Sequence, residues 1–228
     1  MLVLDRSDSM AGTPLANLKT AAKAFVDIID EATDGILDGT IANGSRVGVV
    51  SFSDTATLNQ TLTTNATALK STIDALVASG FTNHEAAISL AQSTLAGSMP
   101  TNTKQMIVFT DGVTTAGGNP DDDAAAARAA GTEIFAIGLG TVNVSQLNAW
   151  ATDPDSEHVF IAPTSANLQT IFEAIGAAIT VPAATNVVVT DTINGHFSVS
   201  GPVASKGTVS QAGNVLTWSI TELQTETA

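Results

Sequence analysis

The chain has 228 residues, with 22 acids against 8 bases for a net charge of −14, 44% hydrophobic residues, a mean hydropathy of +0.25 and no cysteine. That length and composition suit a globular protein of one full domain and part of another, and the missing thiols exclude a disulfide framework and any thiolate metal site. The acidic surplus argues against nucleic acid as a partner and weakly favours divalent cations.

Along the first 180 or so residues, strand and helix patterns alternate. "MLVLD" is a short apolar run ending in a loop, the pattern of a buried parallel strand. A helix follows, opened by Thr13-Pro14, with Leu15, Leu18, Ala22, Phe25 and Ile29 at helical spacing. "SRVGVVSFS" is a strand and "TATLNQ" a short edge partner. "NATALKSTIDALVAS" is a helix with Leu69, Ile73 and Leu76 on one face, and "TNHEAAISLAQSTLA" is another. "KQMIVFTDG" is the next buried strand, "PDDDAAAARAAG" a helix, "TEIFAIGLG" a strand, "NVSQLNAWAT" a short helix, "EHVFIA" a strand and "SANLQTIFEAIGAAIT" the closing helix. Such repetition predicts an α/β fold: a doubly wound, mainly parallel, Rossmann-like sheet flanked by helices. Ligands of these sheets bind beyond the carboxyl ends of the strands, near the topological switch point.

The period changes near Pro182, which sets expected boundaries of 1–181 for the α/β domain and 182–228 for a small all-β segment. "NVVVTDTI" and "HFSVS" flank Asn194-Gly195, a hairpin signal, and "GTVSQ" and "NVLTWSI" flank Ala212-Gly213. Leu216, Trp218 and Ile220 share one face, so Trp218 is expected in a core. So few strands make a marginal core alone; the segment either packs on the first domain or begins a β-sandwich. The richest apolar stretch, "IFEAIGAAITVPAATNVVV", contains Glu173, Pro182 and Asn186 and is a helix followed by a strand, not a membrane span. No signal peptide is visible, and the chain opens inside a strand, so it reads as an excised piece.

Three of the strand-end loops carry hard oxygen donors. Asp5, Ser7 and Ser9 follow the first strand at every second residue, Thr82 opens a helix, and Asp111 ends a strand. These five oxygens, with water, suit an octahedral shell around magnesium, with manganese or calcium as alternatives. A shell short of direct carboxylates leaves the cation electrophilic toward an outside acid.

At this point the sequence resembles a known family. "VLDRSDSM", "GFTNHEAA" and "VFTDG" are similar to the three loops of a von Willebrand factor A domain with its metal-ion-dependent adhesion site: an Asp-x-Ser-x-Ser triplet, a distant threonine, and an aspartate followed by glycine. "LNAWATDPDSEHVFIAPTSANLQTIF" is similar to that family's closing segment. The resemblance covers roughly residues 1–180 and is specific as a set. It implies that Ser7, Ser9 and Thr82 touch the cation directly or through water, that Asp5 and Asp111 mostly hold coordinating waters, and that the open position takes a partner's Glu or Asp carboxylate. Two positions depart from the pattern: Asp8 stands between the serines where glycine is common, and Phe81 precedes the threonine where a small residue is common. The β segment is similar to repeated β-sandwich modules of bacterial surface proteins, on the short motifs "VTDT" and "TWSI".

Plainer readings compete. Asp5, Ser7 and Ser9 alone would serve as an ordinary loop before a helix; Thr82 and Asp111 in matching loops tip the balance to metal. Asp121–Asp123 complement a helix dipole better than they build a second cation site. Asp34 and Asp38 are turn residues beside glycines. His84 is expected on the solvent face of its helix rather than against a partner, and His158 and His196 carry no role. Lys206 and Asn214 could form an isopeptide bond, but such pairs are common in any strand-rich segment.

The function expected is therefore a non-enzymatic, divalent-cation-dependent adhesion or protein-binding module, extracellular or on a bacterial surface. An intracellular A-domain serving a chelatase or AAA-ATPase-type assembly is the alternative. A phosphohydrolase is disfavoured, because "DRS" lacks a second carboxylate two residues on, no histidine sits in a strand-end motif, and "GLG" lacks the rest of a dinucleotide fingerprint. Nothing in the sequence speaks to oligomeric state.

Overall fold

Leu2–Asp5 form the first strand, β1, and all four residues are buried. The computed structural model describes residues 1–98, 103–179, 184–197, 200–204 and 207–223. Its further strands in the first unit are β2 (Val47–Phe52), β3 (Ala56–Thr63), β4 (Lys104–Thr110), β5 (Thr132–Leu139) and β6 (Val159–Ala162). They form one sheet of order β3-β2-β1-β4-β5-β6. Every neighbouring pair is parallel except β2 with β3, so the edge strand "TATLNQ" anticipates runs antiparallel and extends to Thr63. β3 also alternates between exposed and half-buried residues, as an edge strand with one packed face does.

The helices are α1 (Thr13–Asp34), α2 (Ala66–Asp74), α3 (His84–Ala96), α4 (Pro120–Ala129), α5 (Val144–Trp150), α6 (Asp155–His158) and α7 (Leu168–Ile179). Because side chains alternate along a strand, β1 sends Leu2 and Leu4 to one face and Val3 to the other. The first face packs with Ile107 and Phe109 against α1, α2 and α7, where Phe25 meets Phe172 edge-on at 6.1 Å. The second packs Val3, Phe52, Val108 and Ile134 against α3, α4 and α5, centred on fully buried Trp150. The fold is the doubly wound, mainly parallel sheet read from the sequence. Two elements differ in extent. α2 stops at Asp74, and its expected last turn becomes a loop whose Ser79 N–H donates to the Arg6 carbonyl at 2.8 Å. Glu157 and His158 close the short α6 instead of opening β6, with His158 Nε2 3.0 Å from Glu133 Oε1.

The second unit, residues 180–228, is described by itself. Its strands β7 (Ala184–Thr192), β8 (Thr208–Ala212) and β9 (Val215–Leu223) form an antiparallel sheet of order β7-β9-β8. β8 and β9 make the expected hairpin, with Gly213 and Asn214 as its turn and Gly213 at φ +60°. The other expected hairpin differs: β7 pairs with β9, and Asn194 instead accepts a hydrogen bond from the His196 N–H at 3.0 Å. Residues 198–199 of "HFSVS", together with Pro182 and Lys206, lie outside the described residues. The register places Val187 and Val189, Trp218 and Ile220, and Val209 on one face. On that face Ile220 is buried, Trp218 is half-buried rather than core, and Val189 is exposed.

Candidate metal centre

The chain leaves β1, crosses to β2 and β3 on one side, and returns to β4 on the other, so the switch point lies between the carboxyl ends of β1 and β4. Asp5 ends β1, and Thr110-Asp111 end and follow β4. The loops that carry the five candidate donors leave the sheet at this end.

The first loop folds on itself. Asp5 Oδ1 accepts the Ser7 N–H at 2.8 Å, and the Ser7 carbonyl accepts the Met10 N–H at 3.0 Å as residues Asp8–Met10 make a 3-10 turn. Met10 is fully buried and pins the turn to the core, while Gly12 at φ +82° lets the chain reverse into α1. Ser7 is buried, and its hydroxyl lies 3.1 Å from that of exposed Ser9, which donates to Asp111 Oδ1 at 2.7 Å. Thus Asp5, Ser7, Ser9 and Asp111 belong to one hydrogen-bonded string that joins two loops.

Thr82 arrives on the third loop, which docks on the first: the Asp8 N–H donates to the Gly80 carbonyl at 2.9 Å. Arg6 braces the same contact, donating from Nη1 to Ser79 Oγ at 2.6 Å. Thr82 is buried at 5% exposure, its N–H donates to Thr115 Oγ1 at 2.9 Å, and its carbonyl accepts the Thr115 N–H at 2.9 Å, which ties it to the Asp111 loop. Asn83 caps α3 by accepting the Ala86 N–H at 3.0 Å. Asp8, between the two serines, is exposed.

Burial pushes the Asp5 carboxyl above its ordinary pKa, against hydrogen bonds from Ser7 and Thr110 that favour the charged form; the nearby Asp111 charge adds to the upward push. A cation among these oxygens would relieve that cost. The donor chemistry fits such a guest: hydroxyls and carboxylates are hard ligands suited to magnesium, manganese or calcium. Among the described residues no three His, Asp or Glu side chains cluster as a metal site, and the candidate centre contributes only two carboxylates, Asp5 and Asp111, with three hydroxyls.

Three residues join the centre that the sequence reading did not single out. Thr110 donates to Asp5 Oδ2 at 2.7 Å. Asp54 accepts the Phe81 N–H at 3.1 Å, and its carboxylate stands so close to Gly80 that a Cβ there would fall 2.2 Å from Oδ2. Thr115 pairs with Thr82. Thr110 had a visible signal, since alternation after Val108 turns it toward the α3 face; Asp54 had none, because it acts on backbone distant in sequence. His84 overturns its expected exposure: it is fully buried, because the first turn of α3 faces Phe52 and Trp150, with ring centroids 5.3 and 4.6 Å away. The turn reading of Asp34 and Asp38 holds, since each accepts an N–H two residues on. Asp121 spends Oδ1 on the Trp150 indole N–H at 2.9 Å.

Comparison with known proteins gives a consistent picture. Residues 1–174 match the family described as von Willebrand factor type A domain. A mycobacterial relative, the "UPF0353 protein" of Mycobacterium sp. (strain KMS), is 30% identical, covering 62% of this chain and 44% of its own, so the chain spans less than half that relative's length. Among solved structures, the vWF domain of the type V pili tip protein Mfa5 from Porphyromonas gingivalis superposes with a TM-score of 0.67 at 18% identity, covering 78% of this chain and 93% of that one. Proximal thread matrix protein 1 from the mussel byssus, solved with a zinc-occupied MIDAS motif, gives a TM-score of 0.63 at 22% identity, covering 84% and 48%. No described helix is long and apolar enough to cross a membrane.

Proposed function

The chain belongs to the von Willebrand factor type A domain family, and from that premise we propose that it is a divalent-cation-dependent protein-binding module of a bacterial surface or secreted protein. Ser7, Ser9 and Thr82 hold the cation directly or through water, Asp5 and Asp111 hold its water shell, and a partner's Asp or Glu carboxylate fills the open position. The bound ion supplies positive charge to a chain of net charge −14, which would otherwise repel an acidic partner.

The observation that carries this reading is the meeting of Ser9 with Asp111 at 2.7 Å across 102 residues of sequence. Two further features support it. Phe81 and Val113 are 65% and 51% exposed on the loops that bear Thr82 and Asp111, so the partner's acid is expected among apolar side chains. The module is non-catalytic in this reading, and the histidine beside the centre, His84, is buried. The pilus-tip neighbour supports the surface setting.

Titration with Mn²⁺ and Mg²⁺ tests the proposal. We expect one site per chain, weakened about 10- to 100-fold by Asp111→Ala, and capture of a surface partner in Mg²⁺ that EDTA abolishes. Partner binding that survives both chelation and Asp111→Ala would overturn it.

A further inference from the structure

Asp5 and Thr110 project from their strands toward the same side of the sheet as Val3 and Val108, the side that α3 covers. His84, in the first turn of α3, therefore meets Thr110 directly: Nε2 lies 2.9 Å from Thr110 Oγ1, while Nδ1 lies 2.9 Å from Thr114 Oγ1. Gln146 extends the string, with Nε2 3.4 Å from Thr114 Oγ1. A buried aspartate, two threonines and a histidine are thus joined end to end behind the centre, and the reading above leaves the histidine without a part.

We propose that His84 is the positioning residue of the centre: as the Nε2–H tautomer it donates to Thr110, and this commits the Thr110 hydroxyl hydrogen to Asp5. The bookkeeping of donors leads there. A carboxylate only accepts, so the contact between Thr110 and Asp5 Oδ2 at 2.7 Å uses the threonine's single hydrogen. Thr110 Oγ1 then has two lone pairs to fill, and the Gly112 N–H at 3.2 Å takes one of them. The second is filled by His84 Nε2–H. The ring is fully buried and each of its nitrogens faces a hydroxyl rather than a carboxylate, so it is neutral and carries a single N–H. With that hydrogen on Nε2, Nδ1 accepts from Thr114, and every group in the string is satisfied. The opposite tautomer would take the Thr110 hydrogen for itself and leave a buried oxygen of Asp5 without its donor. Thr110 has a competing acceptor, the Gly112 carbonyl at 3.3 Å, and the imidazole N–H is what keeps the hydroxyl turned to the carboxylate. Packed between Phe52 and Trp150, the ring cannot swing away.

The role rests on the metal reading, and two measurements separate their fates. In ¹⁵N-histidine-labelled protein without metal, the nitrogen shifts of His84 should report the Nε2–H tautomer near pH 7, and Thr110→Val should disturb it. Mn²⁺ affinity should fall about tenfold in Thr110→Val, persist in Thr110→Ser, and fall in His84→Phe; the His84→Phe, Thr110→Val double variant should bind no more weakly than Thr110→Val alone. An Nδ1–H tautomer, or losses that simply multiply in the double variant, would overturn the proposal. Should His84→Phe not fold, the tautomer and the threonine pair decide. A wild-type chain that takes up no Mn²⁺ sinks the metal reading, while the tautomer still decides whether His84 orients Asp5.

Discussion

The two units of the chain solve the burial problem to different degrees. In the first, each sheet face is covered by three helices, and side chains such as Phe109, Phe172 and Trp150 are fully buried. In the second, a three-stranded sheet keeps Ile220 buried but leaves Trp218 half-open and Val188 and Val189 at 60% and 46% exposure. The centre stands on the first. A candidate site built from three loops needs a bed that does not shift beneath it, and a sheet buried on both faces provides one.

That contrast can be tested by force. Its largest expected consequence is that a fragment of residues 1–179 melts cooperatively, whereas residues 180–228 alone show no melting transition by circular dichroism. A cooperative transition in the small fragment would break the comparison. Next, Phe172→Ala should cost about 3–5 kcal/mol, while Val189→Ala should cost less than ~1 kcal/mol. The two tryptophans fall one in each unit, so urea unfolding of a Trp218→Phe variant follows the first unit alone by fluorescence.

Acid should act on the first unit in particular. The folded pKa of His84, about 4, lies below its ordinary value of 6.5, so the unfolded chain binds the extra proton first. Stability is then complete above pH 6.5 and declines as pH falls toward 4, by about 3 kcal/mol. Asp5 works in the opposite direction: its raised pKa means that protonation in the folded state relieves a buried charge, which softens the decline at the acid end. Melting temperature against pH for wild type and His84→Phe checks this, and the variant should lose most of the slope. Smallest of all, Asn83→Ala should cost about 1 kcal/mol through the lost cap of α3, with no effect on the second unit.

Much of this was legible in the sequence. Runs such as "LVL" in β1 and "MIVF" in β4 are apolar throughout because those residues are buried on both faces of the sheet, and the helices between the strands carry clear periodicity. The placing of Asp5 at the end of one strand and of Asp111 just past another was legible, because a strand end can be read locally. What escaped depends on distant contacts. His84 sits at a helix position whose exposure is decided by Phe52 and Trp150, far away along the chain. Asp54 acts through the amide of Phe81 and through room that only a glycine leaves. The pairing of β7 with β9 rather than with its immediate sequel skips over more than twenty residues, a choice that turn signals at Asn194-Gly195 do not encode.

The reach from Ser9 to Asp111 has a thermodynamic corollary. In an unfolded chain those two groups are strangers, so the cluster they join does not exist there and has no affinity to offer. Any guest that recognises the assembled cluster alone must pull the population toward the native form, by about 2.7 kcal/mol at a hundred times its dissociation constant. Heat resistance in the presence of a candidate guest is therefore itself a gauge of occupancy, and it can be read before any partner has been identified.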